Sequence, residues 1–184
     1  TLEKRRKTFF ENPWFAAINE RRLTRGQYVE TLGNMHQFVR WTTRILARIT
    51  GTTTNRTLRR HFIEHLKGEI DHEVLIENDL RQIGADVDYV VNDMVPATAT
   101  QEFMVIQESL VSFHQDPVVF LAVPFAIEGF SATLTEDFIG NLEACIERWG
   151  VKSPRRACTF ISSHVHTDGG DDGHWINVFK MMQE

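Results

Sequence analysis

Between Thr24 and Gly51 the apolar residues Tyr28, Leu32, Met35, Val39, Ile45, Leu46 and Ile49 fall on the stripe that one face of a helix presents. Thr24-Arg25-Gly26-Gln27 has the form of a capping box at the start of this run, and Gly51 is a stop signal. No segment alternates apolar and polar residues between hairpin turns, so strands are not expected anywhere in the chain. This periodicity constrains the fold more than any other feature. It predicts an all-α domain.

The remaining punctuation is helical too. Asn55 can cap a second long helix through Leu58, Phe62, Leu66, Ile70, Leu75 and Leu80 to Gly84. Thr98 with Gln101 predicts the cap of a third, ending near His114. Asp116-Pro117 predicts the start of a fourth that reaches Trp149-Gly150, with Pro124 kinking it. Ser153-Pro154 opens a fifth, which Gly169-Gly170 interrupts, and a last helix resumes around Asp171. With 184 residues and no internal repeat or low-complexity linker, residues 1–184 are expected to form one domain.

Several function classes are excluded on composition. A net charge of -5 offers no basic field for nucleic acid. The most apolar run, Pro117 to Ile127, is too short to span a bilayer and reads as a buried helix. The charged start, Thr1 to Lys7, leads into Phe9 and Phe10 without the apolar stretch of a signal peptide. Two cysteines, Cys145 and Cys158, are no disulfide framework, so a reduced, cytoplasmic setting is expected. The apolar residues on helix faces suggest a homodimer.

Four places carry residues suited to chemistry. Glu128 closes a stretch with no other charge back to Asp116. A carboxylate buried there must be protonated, ion-paired or metal-bound, and Arg44 or Arg48 could be its partner instead of a metal. Glu69-Ile70-Asp71-His72 is a Glu-x-x-His step, which on a helix puts a carboxylate and an imidazole on one face. Di-iron carboxylate bundles use that step, although a solvated polar face shows it too. His65 lies one turn earlier on the same stripe. His36, among Leu32, Met35 and Val39, is expected to point inward, either as a core histidine or as a ligand. Finally, His164 to His174 packs three imidazoles and three carboxylates into eleven residues. There His164 and Asp168 share a helical face and Asp171-x-x-His174 repeats the acidic step. A polar turn between helices is the other reading of this cluster.

In chain order these are His36, Glu69 with His72, Glu128, and His164 with Asp168 and a trailing His174. Imidazole and carboxylate without suitably placed thiolates suit iron or manganese better than structural zinc. Phe120, Phe125, Phe130 and Trp41 are candidate walls of an apolar pocket, and Arg40 and Arg44 candidate partners for a substrate carboxylate.

From about Gln27 to His174, a chain with these marks resembles the heme-oxygenase-like di-iron oxidases and oxygenases. They keep the helical fold of heme oxygenase and thiaminase II but hold two irons between core helices. The resemblance rests on Glu69-x-x-His72 followed by Gly84, on Glu128, and on His164-x-x-x-Asp168. It implies that Glu69, His72, Glu128, His164 and Asp168 are ligands to Fe(II), two per chain, with O2 as co-substrate. It also implies oxidation of a small-molecule or carrier-bound aliphatic acid, amino acid or amine. Two positions depart from the family pattern. The first-helix ligand is usually a glutamate, where this chain has His36. The last motif usually closes with a histidine, where this chain has Asp171 and then His174.

Other classes remain open at this level. Thiaminase II and pyrroloquinoline quinone synthase use the fold without a metal, and a heme protein would take His36 as axial ligand. A ferritin-like metal store would repeat Glu-x-x-His in its second half, which only Asp171-x-x-His174 approaches.

Overall fold

The structure, a computed structural model, describes residues 7–114, 116–168 and 174–181; within 166–168 and 174–181 some side chains are not described. Among the described residues every regular element is helical. The capping box forms as the sequence predicts: Thr24 Oγ1 accepts from Gln27 N, and Gln27 Oε1 accepts from Thr24 N. It starts the long helix α2 (Arg25–Thr52), which follows the short α1 (Pro13–Asn19). Its 28 residues span about 42 Å at 1.5 Å per residue, so it borders two separate apolar clusters. Tyr28, Leu32 and Val39 belong to the first, while Ile45, Leu46 and Ile49 belong to the second.

The helix predicted from Asn55 to Gly84 is instead two. α3 (Arg56–Gly68) ends at Glu69, and α4 (His72–Gln82) starts after Asp71, whose φ of 67° is left-handed. Two cores explain the break. Leu58 and Phe62 of α3 pack into the second cluster, whereas Ile76 and Leu80 of α4 pack into the first. The break lets each half turn its apolar face to its own cluster. Asp tolerates the left-handed region better than most residues, which suits it to the turn.

α5 (Val87–Asn92) is too short for periodicity to reveal, and Asp86 caps it by accepting from Tyr89 N. In α6 (Thr98–Phe113) the predicted cap, Thr98, is already helical. The capping oxygen comes from α2: Asn34 Oδ1 accepts from Ala97 N and from Thr100 Oγ1. The predicted start at Asp116-Pro117 holds, with Asp116 accepting from Val118 N. A 3-10 segment (Pro117–Leu121) leads into α7 (Ala122–Ser131), and α8 (Glu136–Arg148) follows at a 73° bend. Pro124 therefore does not kink a long helix. It occupies the first turn of α7, where backbone N–H groups have no partner inside the helix. A second 3-10 turn (Pro154–Ala157) precedes α9 (Thr159–Asp168), and α10 (His174–Met181) packs back against α7 and α9. Among the described residues no single helix is long and apolar enough to cross a membrane.

Candidate metal centre

The break between α3 and α4 creates the site. His65 sits in the last turn of α3, Glu69 is its terminal cap, and His72 is the first residue of α4. Glu69 therefore stands between two imidazoles. Its Oε2 accepts from His72 Nδ1 at 2.9 Å, and its Oε1 lies 3.6 Å from His65 Nε2. From α7, Glu128 brings Oε1 to 2.9 Å from the same His65 nitrogen. The side chain of Glu128 is buried, as its isolation in an apolar stretch predicts, and its partner is a histidine and not Arg44 or Arg48. Arg48 pairs with Glu108, and the Arg44 guanidinium stacks on Trp41.

α9 supplies His164, whose ring centroid is 4.8 Å from that of His72. Its Nδ1 donates to the Phe160 carbonyl at 2.7 Å. A carbonyl only accepts, so this bond fixes the proton on Nδ1 and leaves the Nε2 lone pair for a metal. The start of α9 is itself anchored to α4. Asp79, fully buried, accepts from the backbone N–H groups of Thr159 and Phe160, both at 2.9 Å. One carboxylate thus fixes the helix carrying His164 to the helix carrying His72. Burial pushes the Asp79 carboxyl up to about 6, against the opposing effect of those two N–H donors.

Two trios result, His65–Glu69–Glu128 and Glu69–His72–His164, and in each the ligand atoms lie within 4.8 Å of one another. Atoms bound about 2 Å from one ion sit roughly 3–4 Å apart, so small movements would close either trio on a cation. Both contain Glu69, one oxygen facing each trio. Burial lowers the affinity of His65 for its proton, but its bonds to Glu128 and Glu69 outweigh this and raise its pKa to about 10. For Glu69 burial acts upward, yet bonds to His65 and His72 hold it well below the usual carboxylate range. A proton between carboxylates occupies the place a cation would take. The donor set, imidazoles with bridging carboxylates and no thiolate, fits iron or manganese.

Of the residues singled out in the sequence, Glu69, His72, Glu128 and His164 come together. His36 does not join them. It is buried with Nε2 at 3.3 Å from Glu77 Oε1, on a part of α2 that packs against α4, and burial depresses its pKa. Asp171 and the side chains of Asp168 and His174 lie outside the described residues. His65, noted in the sequence only as a neighbour on the stripe, is central. Its i, i+4 spacing to Glu69 was the signal.

His65, Glu69, Glu128 and His164 line a cavity of about 470 Å³ whose other walls are mostly apolar. Phe120 and Phe130 are among them, as expected, whereas Phe125 and Trp41 pack in the second cluster instead. Arg40 donates to the Val91 carbonyl and, like Arg44, does not line the cavity. Neither cysteine does either; both are buried, and burial pushes the Cys158 thiol up to about 12.

Comparison with solved structures places this arrangement of helices. A domain of unknown function with a heme oxygenase-like fold, from Shewanella denitrificans, superposes with a TM-score of 0.74. The match covers 99% of this chain and 77% of that one at 16% identity. The fold is heme oxygenase-like. At that identity the heme oxygenase-like fold is what the two share, and activity must be argued from the site. No family model matches the chain, and no curated protein matches it.

Proposed function

We propose that this heme oxygenase-like protein is a non-heme iron, O2-dependent oxidoreductase with two iron positions that share Glu69. The observation that carries the reading is the division of one carboxylate between two trios of ligand atoms, on the wall of an apolar cavity. His65 and Glu128 would complete one position, His72 and His164 the other. Ferrous ions bound there would supply the electrons that reduce O2.

The chain's own residues account for the rest. Asp79 and the Phe160 carbonyl orient His164, so its free nitrogen is presented without a search over rotamers. Glu128 and Glu69 hold the proton on His65 that cation binding would release. Phe120, Phe130 and Phe160 give the cavity an apolar wall, and the low polarizability of that wall strengthens each charge–charge contact beside it. An aliphatic substrate, free or carrier-bound, fits these walls. The buried, unbridged Cys145 and Cys158 favour a reducing, cytoplasmic setting.

Anaerobic titration with Fe(II), followed by an O2 pulse monitored in the visible, tests the proposal. Two equivalents of iron and a transient absorption are expected. Glu128→Ala and His72→Ala should each lower iron content and abolish O2 consumption while far-ultraviolet circular dichroism stays helical. Wild-type iron content in both variants would overturn the assignment.

A further inference from the structure

The inner stripe of helix α6 is apolar, with Phe103, Leu110 and Val111 packed against the second cluster, except at Gln107. Gln107 is its one fully buried residue among those described, while Val105, Ile106 and Phe113 face outward. Gln107 is 2% exposed and lines the cavity, and its Nε2 has no hydrogen-bond partner among the described residues. A buried donor left unmade is costly, and an apolar residue at this position would avoid the cost. A partner for this amide would have to come from the cavity that it lines.

Its place along the helix narrows that use. α6 runs parallel to α2, from the Asn34–Thr100 bond through the Phe38–Phe103 ring contact to the Arg48–Glu108 pair. Gln107 falls between the last two contacts, opposite the Thr42–Leu46 stretch, and Thr42 and Leu46 also line the cavity. Among the described residues no lysine or arginine lines it, whereas Glu69 and Glu128 do. The histidine beside these carboxylates, His65, is already shared by both of them, so an anionic head group would be desolvated next to an excess of its own charge.

We infer that Gln107 recognises the substrate by donating Nε2–H to an uncharged carbonyl on an apolar chain, so that the ligand class is a neutral aliphatic amide or ester and not a free acid. Such a ligand satisfies the amide and fills the apolar walls together; an amide can also donate back to Gln107 Oε1. This rests on the oxidoreductase reading for its chemistry, but the binding preference stands on the cavity alone.

Calorimetric titration of the metal-free protein with octanamide and octanoate as probes tests it. Octanamide should bind about ten-fold more tightly than octanoate. Gln107→Leu, which keeps the bulk and removes the donor, should weaken octanamide binding about five- to ten-fold. Equal or tighter binding of octanoate would overturn the inference, as would unchanged octanamide affinity in Gln107→Leu or no binding of either probe. Iron uptake by the same preparation separates the two claims: no uptake with the amide preference intact sinks the oxidoreductase reading and leaves this one standing.

Discussion

Glu69 Oε2 lies 2.9 Å from His72 Nδ1 although one helix ends at Glu69 and the next begins at His72. On an unbroken helix the two side chains would project from one face one turn apart. Here the turn through Ile70 and Asp71 swings α4 away, and Glu69, freed from the helix interior, reaches His65 on one side and His72 on the other. The left-handed Asp71, at φ 67°, is what this geometry requires of the backbone.

Asp71 is accordingly a sensitive position. Asp71→Gly adopts the same φ without a steric penalty, and should leave stability within about 0.5 kcal/mol because the extra freedom of the unfolded glycine offsets the relief. Asp71→Val places a β-branched side chain where it does not fit and should cost about 1–2 kcal/mol and lower iron uptake. Urea midpoints and metal analysis check both. Tolerance of valine at wild-type iron content would mean the turn is not what positions Glu69.

The shared carboxylate makes a stoichiometric prediction. Glu69→Ala removes a ligand from both trios and should abolish uptake of both irons, whereas His65→Ala should remove one equivalent and leave the Glu69–His72–His164 position loaded. Inductively coupled plasma analysis after anaerobic loading distinguishes the two. Equal losses in the two variants would argue for a single mononuclear centre.

The sequence made the fold class and part of this site legible, for identifiable reasons. Glu128 stood out because a carboxylate amid apolar residues must find a partner, and that logic is independent of topology. The first capping box was legible because every interaction in it is local. His36 drew attention through its apolar neighbours, but burial alone does not say which helix a side chain faces, and it faces Glu77. The break at Glu69 to Asp71 was hidden because its cause is tertiary: α3 and α4 serve different cores. The cap of α6 was hidden for the same reason, since Asn34 lies more than sixty positions away. Gln107 carried no signal at all, because a glutamine in a helix is ordinary until its cavity is known.

Proton linkage at His65 gives a third test, made on metal-free protein. Its folded pKa of about 10 lies above the ordinary 6.5, so the stabilisation is full below 6.5 and is lost as pH rises through 10. Glu69 is depressed from an ordinary 4.5, so its contribution is present above that value and is lost on acidification below it. The combined contribution of His65 and Glu69 to the stability of metal-free protein should therefore hold between about pH 5 and 6.5 and decline toward pH 10. In His65→Phe the alkaline decline should disappear. A cation must displace the His65 proton, so iron affinity should instead rise with pH across the same range. Chemical denaturation and competitive chelator titrations from pH 5 to 9 follow the two opposite slopes, and parallel slopes would contradict the site.

Asp79 tests whether the second trio depends on helix anchoring. Asp79→Ala strands two N–H groups at the start of α9 and should cost about 2 kcal/mol, the sum of a lost cap and buried donors. His164 rides on that helix, so iron should be lost first from the Glu69–His72–His164 position, leaving about one equivalent in the variant. The pH response has its own sign. With its pKa raised from 3.8 to about 6, Asp79 binds its proton more tightly in the folded state, so its effect on stability falls as pH rises from about 4 to 6. Asp79→Asn keeps an acceptor oxygen but cannot ionise, and should flatten that part of the curve while retaining most of the iron. Loss of both irons in Asp79→Asn, with helicity intact, would show that the negative charge and not the anchoring holds the site together.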